Sequence, residues 1–171
     1  VNEPARGAEL IRDLVARVAD AGPDDRAAAL VAVTVADLEA VLHAQGTGDR
    51  RVLAVGLGAS PGVASGVAMF DAWRGLDAVD AGHDVILVRP ETSPADEPCL
   101  GVANGVLTSR GGMASHAAVI ARGRGLPAVC GADSLVIGDD ALTTADGVVV
   151  REGDLISIDG SSGEVLFGAL D

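Results

Sequence analysis

Glycine and proline recur every few residues from position 50 onward, and the segments between them are short, apolar and β-rich. Such punctuation leaves little room for long helices and favours a sheet built from brief strands. The runs that read as strands are Val52–Gly56, Gly66–Phe70, Val85–Val88, Val106–Leu107, Ala128–Val129, Gly147–Val150, Leu155–Ile158 and Glu164–Phe167. Val85-Ile86-Leu87-Val88 is apolar throughout and mostly β-branched, the pattern of a strand buried on both faces. Asp159-Gly160-Ser161-Ser162-Gly163 reads as a hairpin turn between the last two strands. One strong helix is expected, from Ser115 to about Arg122. A weaker one starts at Ser93 as cap with Pro94 in its first turn, and Pro98 limits it to about a turn. The expected class is α/β.

The first 50 residues follow another period. Ala8, Leu10, Ile11, Leu14, Val15 and Val18 recur at helical spacing, Gly22-Pro23 ends that run, and two further short helices are expected before residue 45. Gly46-Thr47-Gly48-Asp49 is a polar break and a candidate hinge. The expected organisation is a helical linker or appendage over residues 1–50 and one domain over 51–171. A chain of 171 residues buries roughly 70% of its unfolded surface, so it needs no staples.

Composition removes several functions. The net charge is −13 and all 12 basic residues are Arg. Without lysine there is no P-loop lysine and no Schiff base. An acidic chain with 2% aromatic residues has neither the basic surface nor the stacking platform that nucleic acid requires. Cys99 and Cys130 form no C-x-x-C pair and are expected as reduced, buried thiols. No apolar run reaches the length of a membrane span and no signal peptide is evident, so a cytoplasmic protein with no membrane partner is expected. His43 and His83 lack any chemical context and read as surface or boundary residues.

His116 has such a context. The stretch Thr108-Ser109-Arg110-Gly111-Gly112-Met113-Ala114-Ser115-His116 places an imidazole after a glycine turn, at the start of a helix rich in small residues. Backbone N–H groups point outward there and the helix dipole is positive. A neutral imidazole can attack an electrophile without a separate base, and the same dipole favours a dianion once phosphate is attached. The dipole is worth about 0.3–1 kcal/mol, up to ~2 when partly buried. That holds a phosphate but does not drive its transfer. Gly111 and Gly112 let the backbone approach a phosphate. Ser115 is either a plain helix cap or a phosphate contact. Arg110 is either a surface residue or a partner for phosphate oxygens. Thr108 is placed to hydrogen-bond the imidazole or the phosphate. Taken by spacing alone, the same residues also describe a capped helix in which His116 is incidental. A Ser-His hydrolase is disfavoured, because adjacent residues on a helix diverge by about 100° and Ser115 lies in no G-x-S-x-G turn.

Thr108-x-Arg110-Gly111-Gly112-x-x-Ser115-His116-Ala117-Ala118-Val119-Ile120-Ala121-Arg122 closely resembles the active-site signature of the phosphoenolpyruvate-utilising enzymes. Gly56–Gly62, Val85–Pro94 and Glu152–Gly160 resemble further segments of the same family, and Leu38–His43 is similar to the helical stretch before its mobile domain. The resemblance implies a swivelling β/β/α phosphohistidine domain. It implies that His116, through Nε2, accepts a phosphoryl group derived from ATP and inorganic phosphate and delivers it to pyruvate, giving phosphoenolpyruvate, AMP and diphosphate. It places ATP on a separate ATP-grasp domain and pyruvate with Mg²⁺ on a TIM-barrel domain, neither of which fits in this chain, and it implies no metal held by this segment. Other branches of the family use water in place of phosphate or phosphorylate a rifamycin antibiotic. A non-catalytic module with a vestigial histidine is the alternative from another class. Family members often carry Thr, a site of regulatory phosphorylation, two positions before the histidine. Ala114 stands there, so that switch is absent at this position.

Overall fold

The computed structural model describes residues 51–170. The expected helices of residues 1–50 and the Gly46–Asp49 hinge lie outside the described residues. Among the described residues eleven strands form two sheets: β1 (Arg51–Val55), β2 (Leu57–Ser60), β3 (Val63–Met69), β4 (Val85–Arg89), β5 (Gly105–Thr108), β6 (Ala128–Cys130), β7 (Val136–Ile137), β8 (Ala141–Thr143), β9 (Val149–Arg151), β10 (Leu155–Asp159) and β11 (Glu164–Phe167). The larger sheet has the order β1-β11-β10-β3-β4-β5-β6-β2 and the smaller β7-β8-β9. Strands β3 to β6 run parallel, and the remaining pairs are antiparallel. Among the described residues the three α-helices are α1 (Ala72–Asp80), α2 (Glu97–Leu100) and α3 (His116–Arg124). The α/β class expected from the sequence is the one observed.

Strands β1 and β2 sit at opposite ends of the larger sheet, yet Gly56 alone separates them. One residue spans at most about 3.6 Å, so the sheet must roll until its two ends meet. The seam brings backbone against backbone. Gly56 N–H donates to the Gly163 carbonyl at 2.8 Å, and Gly160 N–H donates to that of Gly62 at 2.8 Å. A Cβ on Gly58 would stand 2.6 Å from the Gly160 carbonyl oxygen, and one on Gly160 would overlap the Ser60 carbonyl. Only glycine fits such an approach. The hairpin turn of residues 159–163 has a structural task beyond reversal: it docks on β2.

Apolar side chains fill both faces of the central strands. Ile86, Val88 and Leu107 join the cluster that includes Ile156, Ile158, Leu142 and Val150, so the small sheet covers that face. Leu87 and Val106 join Cys99, Leu100, Ala117, Ala118 and Ala121, which places α2 and α3 on the other face. This is why β4 is apolar at every position except its end. Cys99 and Cys130 are both free and buried, and burial pushes the Cys99 thiol up to about 11.

Four expectations need correction. Helix α1 was not anticipated, because Gly75 in its middle costs about 1 kcal/mol against Ala. A Cβ at Gly75 would come within 2.7 Å of Cys99 Sγ, so the glycine permits close packing of α1 on α2. Asp71 caps α1, accepting from Trp73 N–H at 2.9 Å and Arg74 N–H at 3.1 Å. The element begun at Ser93 is one turn, the 3-10 turn Pro94–Asp96, as expected, but Pro98 does not end the helical path: it lies in the first turn of α2, where no N–H is required. Strand β2 was read only as a glycine motif, and β7 and β8 are too short to show a period. The strand expected at Gly147–Val150 begins at Val149, since Gly147 has φ +84 and belongs to the turn.

Candidate functional site

The carboxyl ends of β3, β4, β5 and β6 lie on one edge of the sheet and are stitched together by hydrogen bonds. Arg89, at the end of β4, donates from Nη1 to the Phe70 carbonyl at 2.6 Å. Ser109 N–H donates to the Arg89 carbonyl at 3.3 Å, Arg110 N–H to that of Pro90 at 2.9 Å, and Ala132 N–H to that of Thr108 at 3.0 Å. The turn before α3 is therefore held against the loops that follow its neighbouring strands.

Each expected site residue has a definite place on this edge. Thr108 is buried and its hydroxyl donates to the Arg110 carbonyl at 2.8 Å. It shapes the turn, and its proton is used within it. Gly111 has φ +100, and a Cβ there would meet Ser115 Cβ at 2.8 Å. Gly112 differs from it: no atom lies within 4 Å of where its Cβ would stand. The two glycines are thus distinct in kind, the first required by the backbone and the second leaving open space. Ser115 is the cap of α3, with extended backbone at φ −66 and ψ 159, and its Oγ accepts from Ala118 N–H at 3.3 Å. Arg110 is exposed and lines a cleft of about 420 Å³ together with Asp133 and Val136.

His116 is the first residue of α3, half-buried, on a helix whose Ala117, Ala118 and Ala121 pack into the core. Gly125 ends that helix in the left-handed region at φ +66. The helix thus runs through Arg124, two residues beyond its expected end. The Nε2 atom of His116 is buried and has no hydrogen-bond partner. A buried polar atom left unpaired costs about 1–3 kcal/mol.

Two residues without an assigned role support the turn. Arg122 Nη2 donates to the Met113 carbonyl at 2.7 Å and Nη1 to the Ala59 carbonyl at 3.2 Å, tying the turn to β2. Gly131, at φ +64, approaches the turn so closely that a Cβ would stand 2.5 Å from the Gly111 carbonyl oxygen. Arg122 was visible as the last residue of the signature stretch. Nothing in the sequence around Gly131 announced it, because its constraint comes from a chain segment 20 residues away. His83 is exposed, as expected.

Among the described residues no group of three or more His, Cys, Asp and Glu side chains converges. No helix among the described residues is long and apolar enough to cross a membrane.

Comparison with known proteins agrees with this geometry. The family model of the PEP-utilising enzyme mobile domain matches residues 81–163. The chain is 44% identical over 156 residues to pyruvate, phosphate dikinase of Rhizobium meliloti (strain 1021), an alignment that covers 90% of the chain and 17% of that protein. It is 47% identical over 119 residues to the enzyme of the same name from Rickettsia felis, covering 69% of the chain and 13% of the relative. It is 42% identical over 149 residues to pyruvate, phosphate dikinase 2 of Zea mays, covering 84% and 17%. The chain spans no more than about a sixth of the length of these relatives. The matched segment contains the whole glycine turn, its cap and His116, and the chain belongs to the phosphoenolpyruvate-utilising enzymes as their mobile domain.

Proposed function

We propose that residues 51–171 form a phosphoryl carrier in which His116 Nε2 accepts a phosphoryl group derived from ATP and inorganic phosphate and delivers it to pyruvate. The observation that carries this reading is the position of His116: first residue of a capped helix, behind a glycine turn, with a ring nitrogen that no protein group occupies. In the first half of the cycle the imidazole turns to expose Nε2, its lone pair forms an N–P bond with the β-phosphorus of ATP as the bond to AMP breaks, and inorganic phosphate then takes the terminal phosphoryl as diphosphate, leaving one phosphoryl on His116. In the second half, the enolate oxygen of pyruvate attacks phosphorus and the N–P bond breaks. The end of α3 favours the dianion by about 0.3–1 kcal/mol, and the open space at Gly112 leaves room for phosphate oxygens beside the backbone. Such stabilisation retains the group and leaves the cationic clamps of transfer to other domains.

The relatives named pyruvate, phosphate dikinase are several times longer than this chain. That supports a parent enzyme in which ATP and Mg²⁺ are bound by an ATP-grasp domain and pyruvate by a TIM barrel, with this domain moving between them in the cytoplasm. The enzyme is then a phosphotransferase with paired acceptors. Its test uses the full parent chain with ATP and inorganic phosphate. An acid-labile mass increase of one phosphate on His116, absent in His116→Ala, is expected. Phosphoenolpyruvate formation by His116→Ala would overturn the proposal, and transfer without inorganic phosphate would remove the dikinase reaction.

A further inference from the structure

Among the described residues three buried side-chain polar atoms have no hydrogen-bond partner: Arg89 Nε, Thr92 Oγ1 and His116 Nε2. Arg89 Nε still lies 3.3 Å from Asp96 Oδ1 in an ion pair. Thr92 Oγ1 and His116 Nε2 have no such compensation. Thr92 is 7% exposed, and it sits in the loop after β4, two residues beyond Pro90. That loop is joined to the turn before α3 through the Arg110 N–H to Pro90 carbonyl bond.

The polar neighbours of Thr92 along the loop are committed to one another. Asp96, 3% exposed, receives Ser93 N–H at 2.7 Å and Ser93 Oγ at 3.0 Å on one oxygen and faces Arg89 with the other. Arg89 in turn reaches the Phe70 carbonyl. A loop in which every other buried polar side chain is committed holds one hydroxyl in reserve. That hydroxyl is a donor, whereas the neutral imidazole nitrogen and the phosphoryl oxygens it acquires are acceptors. The two unpaired groups on this edge are complementary in kind.

We propose that Thr92 is a positioning residue of the carrier, whose hydroxyl donates to His116 or to the phosphoryl group on it once the imidazole has turned. This rests on the carrier reading above. The unpaired hydroxyl is the cost the resting state bears for a bond made in the loaded state.

The experiment compares the full parent chain with its Thr92→Val and Thr92→Ser variants. Three quantities are read: the fraction of His116 phosphorylated at fixed ATP and inorganic phosphate, the lifetime of the phosphohistidine after removal of ATP, and the melting temperature. Valine keeps the shape and removes the hydroxyl. The expected result is a loss of about tenfold in phosphohistidine lifetime or occupancy, the size of one hydrogen bond to a charged group. Thr92→Ser should restore most of it. The melting temperature of Thr92→Val should equal or exceed that of the parent, since a methyl replaces an unpaired hydroxyl. An unchanged phosphohistidine in Thr92→Val would overturn the proposal while leaving the carrier intact. A lowered melting temperature that tracks the loss would assign Thr92 a structural role instead. A parent chain that never carries phosphate on His116 would remove the carrier reading and this inference with it.

Discussion

The rolled sheet has two contrasting regions: the seam where β2 meets the β10–β11 turn, and the carboxyl edge of the parallel strands where His116 stands. Both depend on glycine, for different reasons. At the seam the glycines let backbones touch, and the contact is closed by backbone hydrogen bonds. At the edge, Gly111 and Gly131 shape the turn, while Gly112 faces open space and three buried side-chain polar atoms have no hydrogen-bond partner. The seam is satisfied and should serve stability. The edge carries unpaired buried groups and is expected to serve chemistry, because an unpaired buried group destabilises the fold that holds it.

The strongest test of this contrast is His116→Ala. It should abolish phosphoryl loading in the full parent chain and leave the melting temperature unchanged or raised, as judged by intact mass and thermal unfolding. A strongly lowered melting temperature would erase the distinction between the two regions. The reverse pattern is expected for Gly160→Ala. Its Cβ would overlap the Ser60 carbonyl, so stability should fall by about 4 kcal/mol or more, measured by urea unfolding. Folding without loss would mean that the seam is softer than the geometry indicates.

The next test lies inside the turn. Gly111→Ala forces a Cβ into φ +100 against Ser115 and should cost about 1–3 kcal/mol together with loading of His116. Asp71→Ala, remote from both regions, should cost about 1 kcal/mol as a lost helix cap with loading intact. The Arg74 and Trp73 N–H groups hold the Asp71 carboxyl below its usual range. A depressed carboxylate adds stability that is present above the unfolded pKa of about 3.9. That stability is lost as pH falls through the native value, so the difference between Asp71→Ala and the parent should vanish in acid. The smallest stability effect belongs to Gly112→Ala, within about 0.5 kcal/mol. If the space there receives phosphate, loading should still fall. Unimpaired loading would show that the phosphate lies elsewhere.

Much of this architecture was legible in the sequence because its signals are local. The apolar run of β4, the hairpin turn at 159–163, the cap at Ser115 and the alanines of α3 each follow from a period or a residue type within one element. Helix α1 was not legible, since Gly75 speaks against a helix until Cys99 is seen beside it. Nor was the second role of the 159–163 turn, because β2 lies 100 residues earlier. In the site, His116, the glycine turn and the cap were readable, while the commitment of the Thr108 hydroxyl to the Arg110 carbonyl, the support from Arg122 and Gly131, and the isolation of Thr92 were not.

The sequence by itself determined most of the central strands, where the helix after the glycine turn begins, and that a histidine stands at its start. Those are consequences of side-chain shape and backbone preference over a few positions. Only the tertiary structure decided that the sheet rolls shut, that one glycine of the turn is obligatory and its neighbour is not, and that Nε2 of His116 waits unpaired beneath the surface. These depend on which distant backbone or side chain arrives at a given point, and no local preference encodes that arrival.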